Sequence, residues 1–485
     1  MTPLTSVSSV GDGNSTGRSD RVGRPAQGHK RMAAVALVAS TVATSVALLG
    51  GSHLTAGSYF VALVIAYSAF AALMIALHNW TELPAWPVLL AGGALLIVAM
   101  VQPPIESGDL WSYASYGRMV AVHHESPWDH VPANYPRDPY TSRVVHFWRH
   151  TPSVYGPVFA IPAAGVMAVA GTNATLARLG FQLLAALSVA VALLLVGRET
   201  HWNPTAVAIL AVNPLVPICV VNAGHNDAWV GLLLLGAVLA STRRRWAWTG
   251  VLVALAAMIK VTALLALVAL AVWALRRAGP RAAAKLVGWA TFVCGAAVFA
   301  AGGSDVIRAM QWNSWRMTSG NLWGQARNWL FHQVGGAQHA DQVRLATVAV
   351  LVTIGLAGYL VTRHRRASHP ALLVGLTVVA YALGSAYVWP WYVTWGLIPL
   401  ALCPRAPTTR LLIVVGALLE LGAVPYVRFT SPASVGWEPA LRGVTLMNQT
   451  LPWILAGLAG AVLIVGSYRW RAVRSISDEE PRARW

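Results

Sequence analysis

The hydrophobic pattern along the chain is a series of apolar runs of about 20 residues, recurring from Met32 to Ser467 and separated by short polar or basic stretches. At about 1.5 Å per residue, such a run crosses roughly 30 Å of hydrocarbon. The pattern predicts an all-α fold, a polytopic transmembrane helical bundle of about thirteen or fourteen membrane helices with external juxtamembrane helices. The membrane domain is expected over 32–470. Residues 1–31, rich in Ser, Gly and Arg, read as a disordered cytoplasmic tail, and 471–485 as a second cytoplasmic tail. A polar stretch this long ahead of the first apolar run speaks against a cleaved signal peptide.

Composition agrees: 56% of the 485 residues are hydrophobic and only 11% charged, which excludes an ordinary water-soluble domain. The net charge of +18 comes from arginines at the ends of apolar runs: Arg243 to Arg245, Arg276 and Arg277, Arg363 with Arg365 and Arg366, and Arg469 with Arg471 and Arg474. That is the positive-inside pattern, so the expected partner is the lipid bilayer of the plasma membrane and no nucleic acid is expected. The three cysteines, Cys219, Cys294 and Cys403, lie in apolar segments without metal or redox spacing and read as core residues.

With the basic tail inside, crossings near 32–50, 57–77 and 84–104 place a loop over 105–152 outside, and counting back from the last Arg cluster places 303–344 outside too. Between Arg243 and Arg276 the apolar stretch is interrupted by Lys260; cytoplasmic ends on both sides require two short helices turning there. The same parity applied to 204–222 and 227–241 puts Gly224-His225-Asn226-Asp227 on the external face. Residues 153–171 are apolar, but a full crossing would invert everything after them, and Pro157 and Pro162 favour an interfacial or re-entrant helix.

The first loop opens with Ser107-Gly108-Asp109-Leu110-Trp111-Ser112-Tyr113-Ala114-Ser115-Tyr116-Gly117-Arg118. As a helix this run sets Asp109, Tyr113, Tyr116 and Val120 on one face and Arg118 on the other. A carboxylate backed by phenols suits a general base beside a sugar or lipid headgroup, although a helix cap and interfacial belt would use the same residues. Five of the 14 histidines fall in the same loop, His123, His124, His130, His146 and His150, along with Arg137, Arg143 and Arg149. Their spacing is not that of a zinc site, so no metal is expected. An ammonium isolated among apolar residues, as at Lys260, is functional or paired unless it snorkels, and consecutive polar side chains at 225–227 point the same way.

In order along the chain, Gly108-Asp109-Leu110-Trp111-Ser112-Tyr113 with Gly117, Ser153-Val154-Tyr155-Gly156-Pro157, Asn213-Pro214-Leu215, Gly224-His225-Asn226-Asp227, Ile259-Lys260 and Pro390-Trp391-Tyr392 resemble the actinobacterial polyprenol-phosphomannose-dependent α-1,6-mannosyltransferases of the GT-C glycosyltransferase superfamily. The resemblance covers about residues 84–403. It implies a membrane enzyme that moves mannose from a polyprenyl-phosphate-linked sugar to a cell-envelope glycan or glycolipid acceptor on the external face, with inversion and no cofactor. Asp109 then takes the place of the catalytic base. Tyr113, Tyr116, Arg118, Arg149, Tyr155, His225, Asn226, Asp227, Lys260, Trp391 and Tyr392 are the expected substrate-binding residues, with Lys260 and His225, backed by Arg118 or Arg149, meeting the charge on the leaving phosphate. Where relatives continue the loop with a Gly-x-x-Pro-Tyr type sequence, this chain has Glu125-Ser126-Pro127-Trp128. The rivals are a transporter or flippase for a lipid-linked sugar and a non-catalytic scaffold. A transporter predicts repeat symmetry between halves, which the sequence does not display.

Overall fold

The apolar runs fold as helices. The computed structural model describes residues 23–79, 83–312, 314–318, 321–331, 339–424, 442–447 and 449–461, and among them there is no strand. The first helices are α1 (Gly23–Gly50), α2 (Ala56–Asn79), α3 (Trp86–Val101), α4 (Asp109–Arg118), α5 (Pro157–Ala170) and α6 (Ala174–Glu199). Then follow α7 (Pro204–Ala211), α8 (Asp227–Thr242), α9 (Trp246–Ala257), α10 (Leu265–Ala278), α11 (Pro280–Ala300) and α12 (Ser304–Gln311). The last named are α13 (Leu322–Phe331), α14 (His339–Arg363), α15 (Pro370–Gly384), α16 (Thr394–Leu400) and α17 (Pro407–Ala423).

Six helical stretches among the described residues are long and apolar enough to cross a membrane: Lys30–Gly50, Ala56–His78, Ala174–Glu199, Val261–Ala278, Pro280–Ala300 and His339–Arg363. Five more apolar helices are shorter. The all-α membrane bundle is as expected, and among the described residues proline and polar positions cut several of the apolar runs into helices shorter than a full span. The run 84–104 yields only α3, which stops before Pro103 and Pro104. The run 204–222 breaks around Asn213-Pro214 into α7 and a π-helical turn, Val216–Asn222, bent by 48°. At the other edge of the pattern, α1 begins at Gly23, so part of the expected disordered tail 1–31 is helical, the basic residues before Met32 continuing the helix out of the apolar run. The rest of that tail, and the tail 471–485, lie outside the described residues.

Lys260 breaks the 246–278 stretch as expected. α9 ends at Ala257, Lys260 is extended (φ −136°, ψ 115°), and a 3₁₀ turn, Val261–Leu264, leads into α10. α5 is 14 residues long, about 21 Å, which is short of the hydrocarbon thickness. The expected loop 303–344 contains α12, α13 and the start of α14.

The centre of the bundle is α7, α8, α15 and α16; every residue of α7 and α16 is buried. A helix apolar all round belongs in such a place. At the periphery, α11 leaves Phe299 86% exposed, and α5 leaves Val169 83% exposed, as lipid-facing surfaces do.

Candidate active site

Three features of the backbone bring the polar segments together. The carbonyls left without helical partners at the end of α3 are taken up by side chains: Asn222 Nδ2 donates to Ala99, Gln102 and Pro103, Gln182 Nε2 to Gln102, and Arg178 to Met100 and Gln102. Asn222 Oδ1 accepts from the Ile105 amide at 2.9 Å, so the chain entering the first large loop is held to the π-helical turn. At the start of α5, the Gly156 and Val158 amides donate to the carbonyls of Ile259 and Met258. A Cβ on Gly156 would stand 2.4 Å from the Met258 oxygen, so this approach, which sets Tyr155 beside Lys260, requires glycine. Finally, α4 crosses α5 at Gly117, where a Cβ would lie 2.4 Å from the Ala163 carbonyl oxygen.

Asp109 occupies the first turn of α4. Its carboxylate is not the cap: the N-cap is Gly108, without a side-chain cap bond, and the Asp109 amide donates to Ser107 Oγ at 3.1 Å. α4 lies outside the six long spans. Burial pushes the Asp109 carboxyl up to about 6, Lys260 pulling it down and Asp227 adding to the rise. One helical turn on, Tyr113 is fully buried, its ring edge-on to Tyr155 and Phe159 and its hydroxyl 3.2 Å from His225 Nδ1. Tyr116 donates to the Thr151 carbonyl at 2.9 Å, bracing the loop behind the helix. Val120 falls beyond α4, in a π-helical turn, Met119–His123, that redirects the chain.

The segment expected as a turn on the external face, His225-Asn226-Asp227, is fully buried at the head of α8. Asp227 receives Lys260 Nζ on both oxygens, at 2.9 and 2.8 Å, and Trp395 Nε1 at 2.7 Å. Lys260 is therefore ion-paired with Asp227, and its ammonium sits 4.4 Å over the Tyr392 ring with Tyr155 and Trp395 at 5.7 and 5.6 Å. His225 stacks on Trp391 with centroids 4.0 Å apart, and Trp391 on Trp389 at 5.2 Å. Around these pairs, His225 Nε2, both amide atoms of Asn226, Trp229 Nε1 and Trp391 Nε1 are buried without a hydrogen-bond partner. Each such group costs about 1–3 kcal/mol when left without a partner, and folded proteins keep few of them, so this concentration makes the cluster the candidate site for a polar ligand.

Two expected binding residues lie elsewhere. Arg118 points away from Asp109 and bonds Asp138 at 2.5 Å and the Gly171 carbonyl at 2.9 Å. Asp138 also accepts from the Tyr140 amide at 3.0 Å and takes His123 Nε2 at 3.0 Å; despite burial, the Tyr140 bond first, then those of Arg118 and His123, hold its carboxyl below the usual range. Arg149 donates to the Val144 and Ser142 carbonyls of its own loop. Both arginines organise the loop and do not reach the Asp109 cluster. Trp229 and Trp395 join the cluster although no motif singled them out; each reads in sequence as one more apolar residue, and only the fold turns its indole N–H inward.

A second polar cluster was not legible at all. Cys219 donates to Glu106 at 2.8 Å, Tyr59 to the other Glu106 oxygen at 2.8 Å, and Tyr67 to Glu420. Cys219 is thus more than core filling. The ligand atoms of Glu106, Cys219 and Glu420 lie within 4.8 Å of one another, a set that can hold a divalent cation. The three residues are too far apart in sequence to form any spacing motif.

Comparison with known proteins follows the same segments. A family model described as alpha-(1->6)-mannopyranosyltransferase, N-terminal domain, matches residues 26–276, and the MptB C-terminal domain model matches 320–425. A probable alpha-(1->6)-mannopyranosyltransferase of Mycolicibacterium smegmatis is 25% identical over 436 residues, covering 77% of this chain and 73% of the relative. Alpha-(1->6)-mannopyranosyltransferase A of Corynebacterium glutamicum is 30% identical over 179 residues, 36% of either chain. Alpha-(1->6)-mannopyranosyltransferase B of the same organism is 26% identical over 359 residues, covering 64% of this chain and 57% of the relative. With the first model spanning more than half of its length, the chain belongs to the alpha-(1->6)-mannopyranosyltransferase family.

Proposed function

We propose that the chain is a mannosyltransferase that uses a polyprenyl-phosphate-linked mannose, at the external face of the plasma membrane, to extend a cell-envelope glycan or glycolipid with inversion at the anomeric carbon. Family membership supports the mannosyl transfer. The observation that carries the mechanism is Asp109: a carboxylate with a pKa near 6, within electrostatic reach of Lys260 and Asp227 and so of the buried, unpartnered hydrogen-bonding groups around them. A base of that strength is ionised at neutral pH yet accepts a proton readily.

In this reading Asp109 takes the proton from the acceptor hydroxyl. The freed oxygen attacks the anomeric carbon from the side opposite the lipid phosphate, the glycosidic oxygen leaves with the phosphate, and a β-linked donor gives an α-linked product. The phosphate gains about one negative charge as it departs, so a nearby cation helps the transition state more than the ground state. Lys260, oriented by Asp227 and the Tyr392 ring, supplies it; neither a metal nor another cofactor enters the scheme. Asn226, His225 and the two indoles would bind sugar hydroxyls.

Asp109→Asn keeps the shape and removes the base. Transfer from polyprenyl-phosphate mannose should fall by about 10²- to 10⁴-fold in membranes, with thermal stability nearly unchanged, since the carboxylate caps no helix. Near-native transfer by well-expressed Asp109→Asn protein would remove Asp109 from the reaction.

A further inference from the structure

Beside the Asp109 cluster, the two large loops and the α15–α16 connection enclose a cleft of about 420 Å³. Trp148 comes from the first loop, Trp315, Arg316 and Arg327 from the second, and Tyr387 and Trp389 from the connection. The volume falls within the roughly 300–1,000 Å³ usual for small-molecule sites. We propose that this cleft is the acceptor subsite, holding the neutral sugar chain whose hydroxyl receives the mannosyl unit. The proposal rests on the glycosyltransferase reading above and assigns the place from which its second substrate approaches.

Continuity is the first argument. Trp389, in the cleft wall, stacks on Trp391, which stacks on His225 of the catalytic cluster. Tyr387, also in the wall, lies within electrostatic reach of Asp109. A chain lying in the cleft would therefore present its end toward the proposed base. Chemistry is the second argument. The C–H face of a sugar ring stacks on flat aromatic surfaces, while its hydroxyl edge needs hydrogen-bonding groups such as those of Arg327 and Gln342. A polyprenyl tail needs aliphatic walls instead, and among the described residues Met317 is the one aliphatic side chain in the lining, with no Leu, Ile or Val. The cationic groups do not form an open phosphate cradle either: the Arg316 guanidinium lies 3.2 Å from the Phe147 ring centroid and 4.7 Å from that of Trp315, and Arg327 bonds Asn328. These stacked planes build a platform that bridges the two loops.

The test uses the full chain in nanodiscs, with octyl α-1,6-mannobioside as acceptor probe and polyprenyl-phosphate mannose as donor, each varied separately. Trp148→Ala and Trp315→Ala should each raise the acceptor KM by about three- to tenfold, with donor KM and kcat unchanged, and Trp315→Phe should restore most of the loss. An unchanged acceptor KM in folded variants overturns the proposal, as does an equal rise in donor KM, which would seat the lipid donor there. Arg327→Cys provides a readout without turnover. The mannobioside alone should slow its reaction with a maleimide, and an unslowed reaction overturns the proposal. If the wild-type chain transferred no mannose, the function above would fail, while protection of Arg327→Cys would still report the cleft.

Discussion

Asp227 neutralises Lys260 by direct contact, yet both still act on Asp109, with opposite signs. Burial raises the Asp109 pKa to about 6, and the lysine keeps it from rising further. Because the base must be ionised, activity is lost as pH falls through that value: the pH profile of kcat/KM should show an acid limb near 6. Lys260→Met removes the opposing charge, so the limb should move to higher pH. A limb that stays in place, read over about pH 5–8 at matched protein folding, would mean that Lys260 does not act on the base. The same residue shows what a sequence can and cannot report. Its isolation among apolar side chains announced that it was either paired or functional. Its partner was not announced, because Asp227 reaches it only through the break between α9 and α10. For Arg118 and Arg149, charge was visible but direction was not, since a helical face and a loop position do not say which carbonyl or carboxylate lies opposite.

At the scale of elements, the helices themselves were legible because apolar runs in lipid have few alternatives to helix. Their lengths were less so, since hydropathy counts apolar residues while Asn213-Pro214 or Pro103-Pro104 decides where the hydrogen-bond ladder stops. The α4–α5 crossing depends on Gly117. Gly117→Ala would drive a methyl group into the Ala163 backbone, which cannot turn aside as a side chain could. α4 should shift, costing about 1–3 kcal/mol of stability and, because a displacement of about 1 Å can cost 10²-fold in rate, about 10- to 100-fold in transfer. Thermal unfolding and transfer assays on the purified variant check both, and native activity would show that α4 need not be held so closely.

For the whole molecule, the orientation proposed from the arginine clusters places Arg137 and Arg308 outside and Arg244 inside; all three are exposed on the structure. Arg137→Cys and Arg308→Cys should react in intact cells with an impermeant maleimide, and Arg244→Cys only after the membrane is opened. Labelling of Arg244→Cys alone would invert the orientation. The Glu106–Cys219–Glu420 cluster belongs to this scale too, because α17 and the chain before α4 meet across the bundle and no local pattern forecasts it.

The bond from Trp395 to Asp227 spans 168 residues of sequence. Asp227 lies in the stretch matched by the first family model, Trp395 in the stretch matched by the second, and Trp391 joins His225 across the same divide. The boundary between the matched stretches is thus not a seam in the working protein. A hybrid joined between them would bring one parent's indoles to another parent's carboxylate and imidazole. In this chain the two halves are exchangeable only to the extent that both sides of that contact travel together, so changes on one side constrain those tolerated on the other.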